Sequence, residues 1–286
     1  MYDLHLNELD LIYALQKGGT PFWNQFFGFF NFFDTHYFYL LLILVIWIIF
    51  GWKTGFKILF LLLISAFIND FAKIIFQLPR PFMLDPKAAL LFTVDGFGFP
   101  SGGAQNALLF ALVFAHHLKK WWGYLIAFIY IVLIAFSRIY LGLHFFSDIA
   151  GGLVLGYGLF LAYLYLFPKI ENFLKKHSLL VGLFLAQVVA FLMNFLNSSP
   201  SGTELALNFS LASLLCFVGL KFNFLPQESH NHQIHKIETK RRIIVSLLGI
   251  LAISLFCLFW PCRFFVSSSL LVLWLVFGVG IFCRRK

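Results

Sequence analysis

Long runs of nearly unbroken apolar residues alternate along this chain with short polar breaks. The runs have no two-residue period, which argues against half-buried strands, and most are long enough to be helices that cross a bilayer. A hydrocarbon core of about 30 Å takes roughly 20 helical residues. On that measure spans are predicted at 36–52, 55–76, 103–118, 121–138, 145–167, 178–196, 204–220, 243–260 and 264–283. Several are short for a full crossing, which leaves room for tilted or re-entrant segments. The N-terminal stretch is patterned differently. Leu4, Leu6, Leu9, Leu11, Ile12 and Leu15 are interleaved with polar residues, predicting an amphipathic helix at the membrane interface, and the aromatic run from Phe22 to Phe33 continues along it after Gly18, Gly19 and Pro21. The expected architecture is an all-helical, polytopic membrane bundle. It divides into an interfacial segment (1–35), a membrane core (36–170) and a C-terminal transmembrane extension (171–286).

Composition strengthens this picture. Hydrophobic residues make up 61% of the 286, Phe alone numbers 40, and mean hydropathy is +0.88, values far from those of soluble domains. Asp3, Glu8 and Asp10 precede the first lysine, so the start lacks the basic region of a secretory signal. The net charge of +9 would suit nucleic acid if it were clustered, but it flanks the spans instead. Of 21 Lys and Arg, fifteen fall on one side of the predicted topology, among them Lys53, Lys57, Lys119, Lys120, Lys175, Lys176 and the Lys240, Arg241, Arg242 strip. The positive-inside rule makes that side cytoplasmic. The expected setting is a bacterial inner membrane, with no nucleic-acid partner.

The opposite, extracytoplasmic side carries three polar clusters: Lys73-x6-Arg80-Pro81, Pro100-Ser101-Gly102-Gly103, and Ser137-Arg138-x5-His144-x3-Asp148. Together they offer three cations, a glycine-rich helix start and a histidine four residues from a carboxylate. Arginine forks match phosphate oxygens, and a helix N-terminus preceded by glycine-compatible geometry accepts an anion. A carboxylate one helical turn from an imidazole can hold its tautomer and support its cation. Lys73, Arg80, Ser101, Gly102, Gly103 and Arg138 are therefore candidate phosphate ligands, with His144, Asp148 and Arg138 as candidate catalytic residues. Phosphoryl transfer needs mainly positioning and charge neutralisation, which fixed cations supply without a metal or other cofactor. Cys216, Cys257, Cys262 and Cys283 lack metal-type spacing and read as packing residues, and the His230, His232, His235 loop reads as solvated.

In order and spacing these clusters resemble the three-part signature of the type 2 phosphatidic acid phosphatase superfamily, whose members include integral lipid phosphatases. The resemblance covers about Asn69 to Gly152. It implies that His144 is a nucleophile forming a phosphohistidine that water later cleaves. One position departs: the second motif ends in histidine in the family, where it assists the leaving group, and this chain has Gly103. The implied function is removal of phosphate from a membrane lipid phosphate or polyprenyl diphosphate on the extracytoplasmic side. A lipid phosphotransferase using the same site, and a catalytically weakened lipid-phosphate-binding or transport protein, are the alternatives. Asp95 and Asp85 are the candidates from the sequence for a substitute acid.

Overall fold

In the computed structural model, residues 2–221 are described, and among them every regular element is helical. In chain order they are α1 (Tyr2–Gln16), α2 (Pro21–Phe29), a 3-10 turn (Phe30–Asp34), α3 (His36–Phe50), α4 (Trp52–Phe76), α5 (Pro81–Leu84), a second 3-10 turn (Pro86–Ala88), α6 (Gly102–Leu118), α7 (Trp121–Tyr140), α8 (Phe146–Lys176), α9 (Leu179–Leu196) and α10 (Pro200–Lys221). The seven spans predicted before residue 221 each correspond to a helix. Among the described residues, five segments are long and apolar enough to cross a membrane: Lys53–Leu84, Trp121–Tyr140, Phe146–Lys176, Leu179–Leu196 and Pro200–Lys221. The other two predicted spans, now α3 and α6, have 15 and 17 residues, short of the roughly 20 a straight crossing takes. The predicted spans 243–260 and 264–283, the His230 to His235 loop and Cys257, Cys262 and Cys283 lie outside the described residues. Cys216 lies on α10 and is half-buried.

The chain forms two compact units, 1–38 with 68–168, and 39–67 with 169–286. Within the first, α6 and α7 form an antiparallel-neighbour pair joined by the short Lys119–Lys120 turn. Helix α8 lies against the first turn of α6 so closely that a Cβ at Gly152 would sit 2.4 Å from the Ser101 carbonyl oxygen, and one at Gly156 would sit 2.5 Å from that of Gln105. Small residues four apart thus let two backbones meet, as in other membrane helix pairs.

Helix α1 belongs to this unit's core. Its buried face is His5, Glu8, Leu9 and Ile12, a spacing of three and four that selects one side of a helix. Leu6, Leu11 and Leu15 are exposed on the other side. On the buried face Glu8 is partnered across the fold, accepting hydrogen bonds from Ser147 N and Oγ, both at 2.9 Å. Gln16 Nε2 donates to the carbonyls of Ala88 and Tyr140 at 2.8 Å each. His5 stacks on Phe145 with ring centroids 4.4 Å apart. These contacts clamp the segment between α7 and α8. Gly142 in that segment has φ +69, and a Cβ there would meet the Ala88 carbonyl oxygen at 1.9 Å, so only glycine can occupy this turn.

The second unit is held differently. Trp47 packs on Phe56, with centroids 4.9 Å apart, and Phe60 packs on Phe209 at 5.0 Å. Helices α9 and α10 are joined by a polar clamp, in which Gln187 Nε2 donates to Ser213 Oγ at 2.8 Å and Ser210 Oγ donates to Gln187 Oε1.

Candidate active site

All eight candidate site residues lie in the first unit. Helix α4 carries Lys73 in its last turn, and Pro79 and Pro81 then forbid helix continuation until Arg80 caps α5. Arg80 is almost wholly buried, at 3% exposure. Carbonyl oxygens from three places fix its guanidinium: Gly96 accepts from Nε at 2.8 Å, Asp95 from Nη2 at 3.3 Å and Leu143 from Nη1 at 3.0 Å. The Asp95-Gly96 segment therefore acts as a backbone strap over the arginine, while the Asp95 side chain is exposed.

The same Nη1 lies 3.0 Å from His144 Nε2, and His144 Nδ1 lies 3.2 Å from Asp148 Oδ2. A guanidinium only donates and a carboxylate only accepts. These partners select the tautomer with the proton on Nδ1 and the lone pair on Nε2. His144 sits in the turn preceding α8, so it does not share a helix face with Asp148 as the four-residue spacing suggests. The pair forms because the α8 N-terminus folds back: Asp148 Oδ2 also accepts from Phe145 N at 3.0 Å, the bond of an acidic residue capping its own helix start. Burial, reinforced by Arg80, Lys73 and Arg138, holds the imidazole pKa well below its usual 6.5.

Arg138, in the last turn of α7, approaches from the other side and is 2% exposed. Its Nη1 donates to Asn31 Oδ1 at 2.8 Å and to Asp34 Oδ2 at 3.4 Å, and Nη2 donates to the Phe30 carbonyl at 3.0 Å. Its Nε is buried without a protein acceptor. The aromatic run places these acceptors: Phe33 meets Tyr130 edge to face and Phe27 packs at a tilt against Tyr140, fastening the 3-10 turn and α2 to α7.

Between the arginines, Ser101 caps α6, its Oγ accepting from Ala104 N at 3.4 Å, while Ser101 N donates to the Asp148 carbonyl at 3.0 Å. Asn69 braces this start by donating to the Pro100 carbonyl at 3.3 Å and to Gln105 Oε1 at 2.9 Å. The N–H groups of a helix's first turn have no intrahelical acceptor, so Gly102 and Gly103 stand at a natural anion site. Lys73 lies within electrostatic reach of Arg80, Asp34 and Asp148.

Gly103 abuts a carboxylate. A Cβ at this position would lie 2.7 Å from Asp34 Oδ2 and 2.9 Å from Asp34 Cγ, so a histidine does not fit here while Asp34 keeps its place. Asp85, the other sequence candidate for an acid, is committed elsewhere, accepting from Tyr13 Oη at 2.5 Å and Lys87 N at 3.0 Å. Sequence reasoning missed Asn31, Asp34, Asn69 and Glu8 as site or support residues. Asn31 and Asp34 did leave a signal: two polar residues three apart in an otherwise aromatic run share a helical face, and polar side chains in such surroundings are seldom idle.

The fold and site define a helical protein with membrane-length apolar segments and a buried histidine–aspartate pair flanked by two buried arginines. Residues 54–172 match the PAP2 superfamily family model. Over 100 residues it is 37% identical to phosphatidylglycerophosphatase B of Bacillus subtilis (strain 168), covering 32% of this chain and 49% of that protein. Over 182 residues it is 25% identical to a dihydrosphingosine 1-phosphate phosphatase of Saccharomyces cerevisiae, covering 58% and 44%. The chain spans about half the length of the curated relatives it matches. A crystal structure of a transmembrane PAP2 type phosphatidylglycerolphosphate phosphatase from Bacillus subtilis matches with TM-score 0.52 and 27% identity, over 62% of this chain and 89% of that one.

Proposed function

We propose that this protein removes the terminal phosphate of a membrane lipid, preferring polyprenyl diphosphates, on the extracytoplasmic side, through a phosphohistidine at His144. The observation that carries this reading is the placement of the His144 ring, with Nδ1 on Asp148 and Nε2 on Arg80. In the first step Arg80 transfers its N–H from Nε2 to a phosphate oxygen, freeing the lone pair. The Nε2–phosphorus bond forms as the bond to the leaving oxygen breaks, and Asp148 supports the positive ring. Arg138, the α6 N-terminus and Lys73 neutralise the equatorial oxygens, and Arg138 Nε has an N–H to give.

The substrate preference follows from Gly103. A monoester expels an alkoxide that needs a proton, whereas a diphosphate expels a phosphate that is already a weak base, so acid assistance matters far less. The outward-facing assignment rests on the positive-inside distribution.

Purified protein assayed for phosphate release from matched polyprenyl diphosphate, polyprenyl monophosphate, phosphatidic acid and phosphatidylglycerol phosphate tests both points. Turnover is expected to be fastest on the diphosphate and to vanish in His144→Ala. Equal rates on mono- and diphosphate reject the substrate preference, and an active His144→Ala rejects the phosphohistidine.

A further inference from the structure

We infer that Asp34 is a catalytic base for this site: it takes the proton from the water that cleaves the phosphohistidine, in a place where the second signature motif supplies no side chain. The inference rests on the phosphohistidine reading above and adds the residue that completes its second half.

Three observations converge on Asp34. First, its carboxylate fills the volume that any side chain at position 103 would enter, with Oδ2, Cγ and Oδ1 at 2.7, 2.9 and 3.2 Å from the site of a Cβ. Glycine at 103 and aspartate at 34 are thus one steric arrangement. The acid–base group comes from the 3-10 turn before α3 rather than from α6. Second, Asp34 shares Arg138 with the phosphate site, Oδ2 lying 3.4 Å from Nη1 of a guanidinium that is 2% exposed. Its charge also acts on Lys73 and Arg80. Third, the Asp34 side chain is not sealed in, at 24% exposure, so water can reach it.

An ionised carboxylate only accepts hydrogen bonds and has a lone pair to take a proton, which matches the needs of the second step. There the water oxygen bonds to phosphorus, the phosphorus–Nε2 bond breaks with its electron pair returning to His144, and the water proton passes to Asp34. The carboxylic acid so formed releases that proton to solvent through its exposed edge. The first step on a diphosphate needs no proton donor, so a base alone completes the cycle. The charge of Arg138, whose Nη1 is 3.4 Å from Asp34 Oδ2, offsets the repulsion between the carboxylate and a bound phosphoryl group.

The test separates the two half-reactions in full-length protein, using polyprenyl diphosphate labelled in its terminal phosphate. Asp34→Asn keeps the shape and removes the base. It is expected to release about one equivalent of polyprenyl monophosphate in a burst, to accumulate an acid-labile, alkali-stable phosphoenzyme, and then to turn over roughly 10²–10⁴-fold more slowly than wild type, the usual span for a lost general base. Asp34→Ala leaves room beside Gly103, and added formate should restore part of its turnover. That rescue also decides the matter if Asp34→Asn does not fold. Wild-type turnover in Asp34→Asn, slow turnover without a burst, or Asp34→Ala that formate leaves unchanged would each overturn the assignment. His144→Ala, run in parallel, separates this failure from that of the phosphohistidine: an active, phosphorylated His144→Ala overturns both, whereas an inert His144→Ala beside a fully active Asp34→Asn overturns Asp34 alone.

Discussion

The two compact units treat buried polar groups in opposite ways. Among the described residues, the buried Asp, Glu, His and Arg side chains are His5, Glu8, Arg80, Arg138, His144 and Asp148, and all six belong to the first unit. In the second, the buried polar residues are neutral, Ser65, Asn197, Asn208 and Ser213, and the ion pair Lys57–Glu171 is about one-third exposed at each end. Burying a charge costs several kcal/mol unless partners repay it, so a fold retains such groups where chemistry or positioning needs them. The contrast is what the proposed function expects of a reactive first unit, beside a second unit packed by apolar contacts and a few neutral hydrogen bonds.

Changes at the charged centre should break this contrast most visibly. Asp148→Asn keeps the capping shape but removes the charge that supports the phosphorylated ring, and an amide can hold the imidazole in the wrong tautomer. A loss of roughly 10³–10⁴ in kcat is expected, by analogy with other histidine–aspartate pairs, measured on the preferred lipid. Arg138→Lys keeps the charge but cannot reproduce donation to Asn31, Asp34 and Phe30 together with a phosphate oxygen. About 10²-fold should be lost from kcat/KM. Near-normal activity in either variant would mean that buried charge in the first unit is structural.

Positioning effects come next. Glu8→Gln weakens the bonds to Ser147 N and Oγ that hold the start of α8, where Asp148 sits. Hydrogen bonds to charged groups contribute about 1.5–3 kcal/mol, so the thermal midpoint should fall by several degrees, with kcat reduced several-fold and KM little changed. A pH series sharpens the same point. The folded His144 pKa is held below 6.5 while the unfolded chain titrates near 6.5, so below that pH the unfolded state binds a proton that the folded state refuses. This group taken alone therefore lowers stability as pH drops below about 6.5, by up to ~1.4 kcal/mol per pH unit. On going from pH 8 to 5 the thermal midpoint of wild type should change less favourably than that of His144→Ala.

How much of this was legible beforehand depended on the range of the interaction. Helices of the membrane bundle follow from runs of apolar residues, and Lys73, Arg80, Arg138, His144 and Asp148 stood out because charged residues make up only 12% of the chain, while Ser101 stood out by its place between Pro100 and two glycines. The α1 face was harder to read, because His5 and Glu8 occupy its buried side while Leu6, Leu11 and Leu15 face outward. An apolar-inside rule inverts when the surroundings are lipid. Asp34 was missed because its significance depends on Gly103, 69 positions later. Only the fold places a carboxylate in the volume that the glycine leaves open.

The smallest expected effect tests the quiet side of the comparison. Gln187 on α9 bonds both Ser210 and Ser213 on α10. Polar residues in membrane helices raise the question of a transport path, yet here the amide is satisfied by neighbours on one adjacent helix, as a packing contact would be. Interhelical hydrogen bonds of this kind contribute about 0.6 kcal/mol on average. Gln187→Leu leaves Ser210 and Ser213 able to bond their own helix, as Ser213 Oγ already does to the Ser210 carbonyl at 2.7 Å. The substitution should lower the thermal midpoint by no more than a degree or two and leave kcat and KM for lipid phosphate unchanged. A variant that stays folded but loses turnover or lipid uptake would place a functional polar residue in the second unit, and the division between a charged reactive unit and a neutral packing unit would fail.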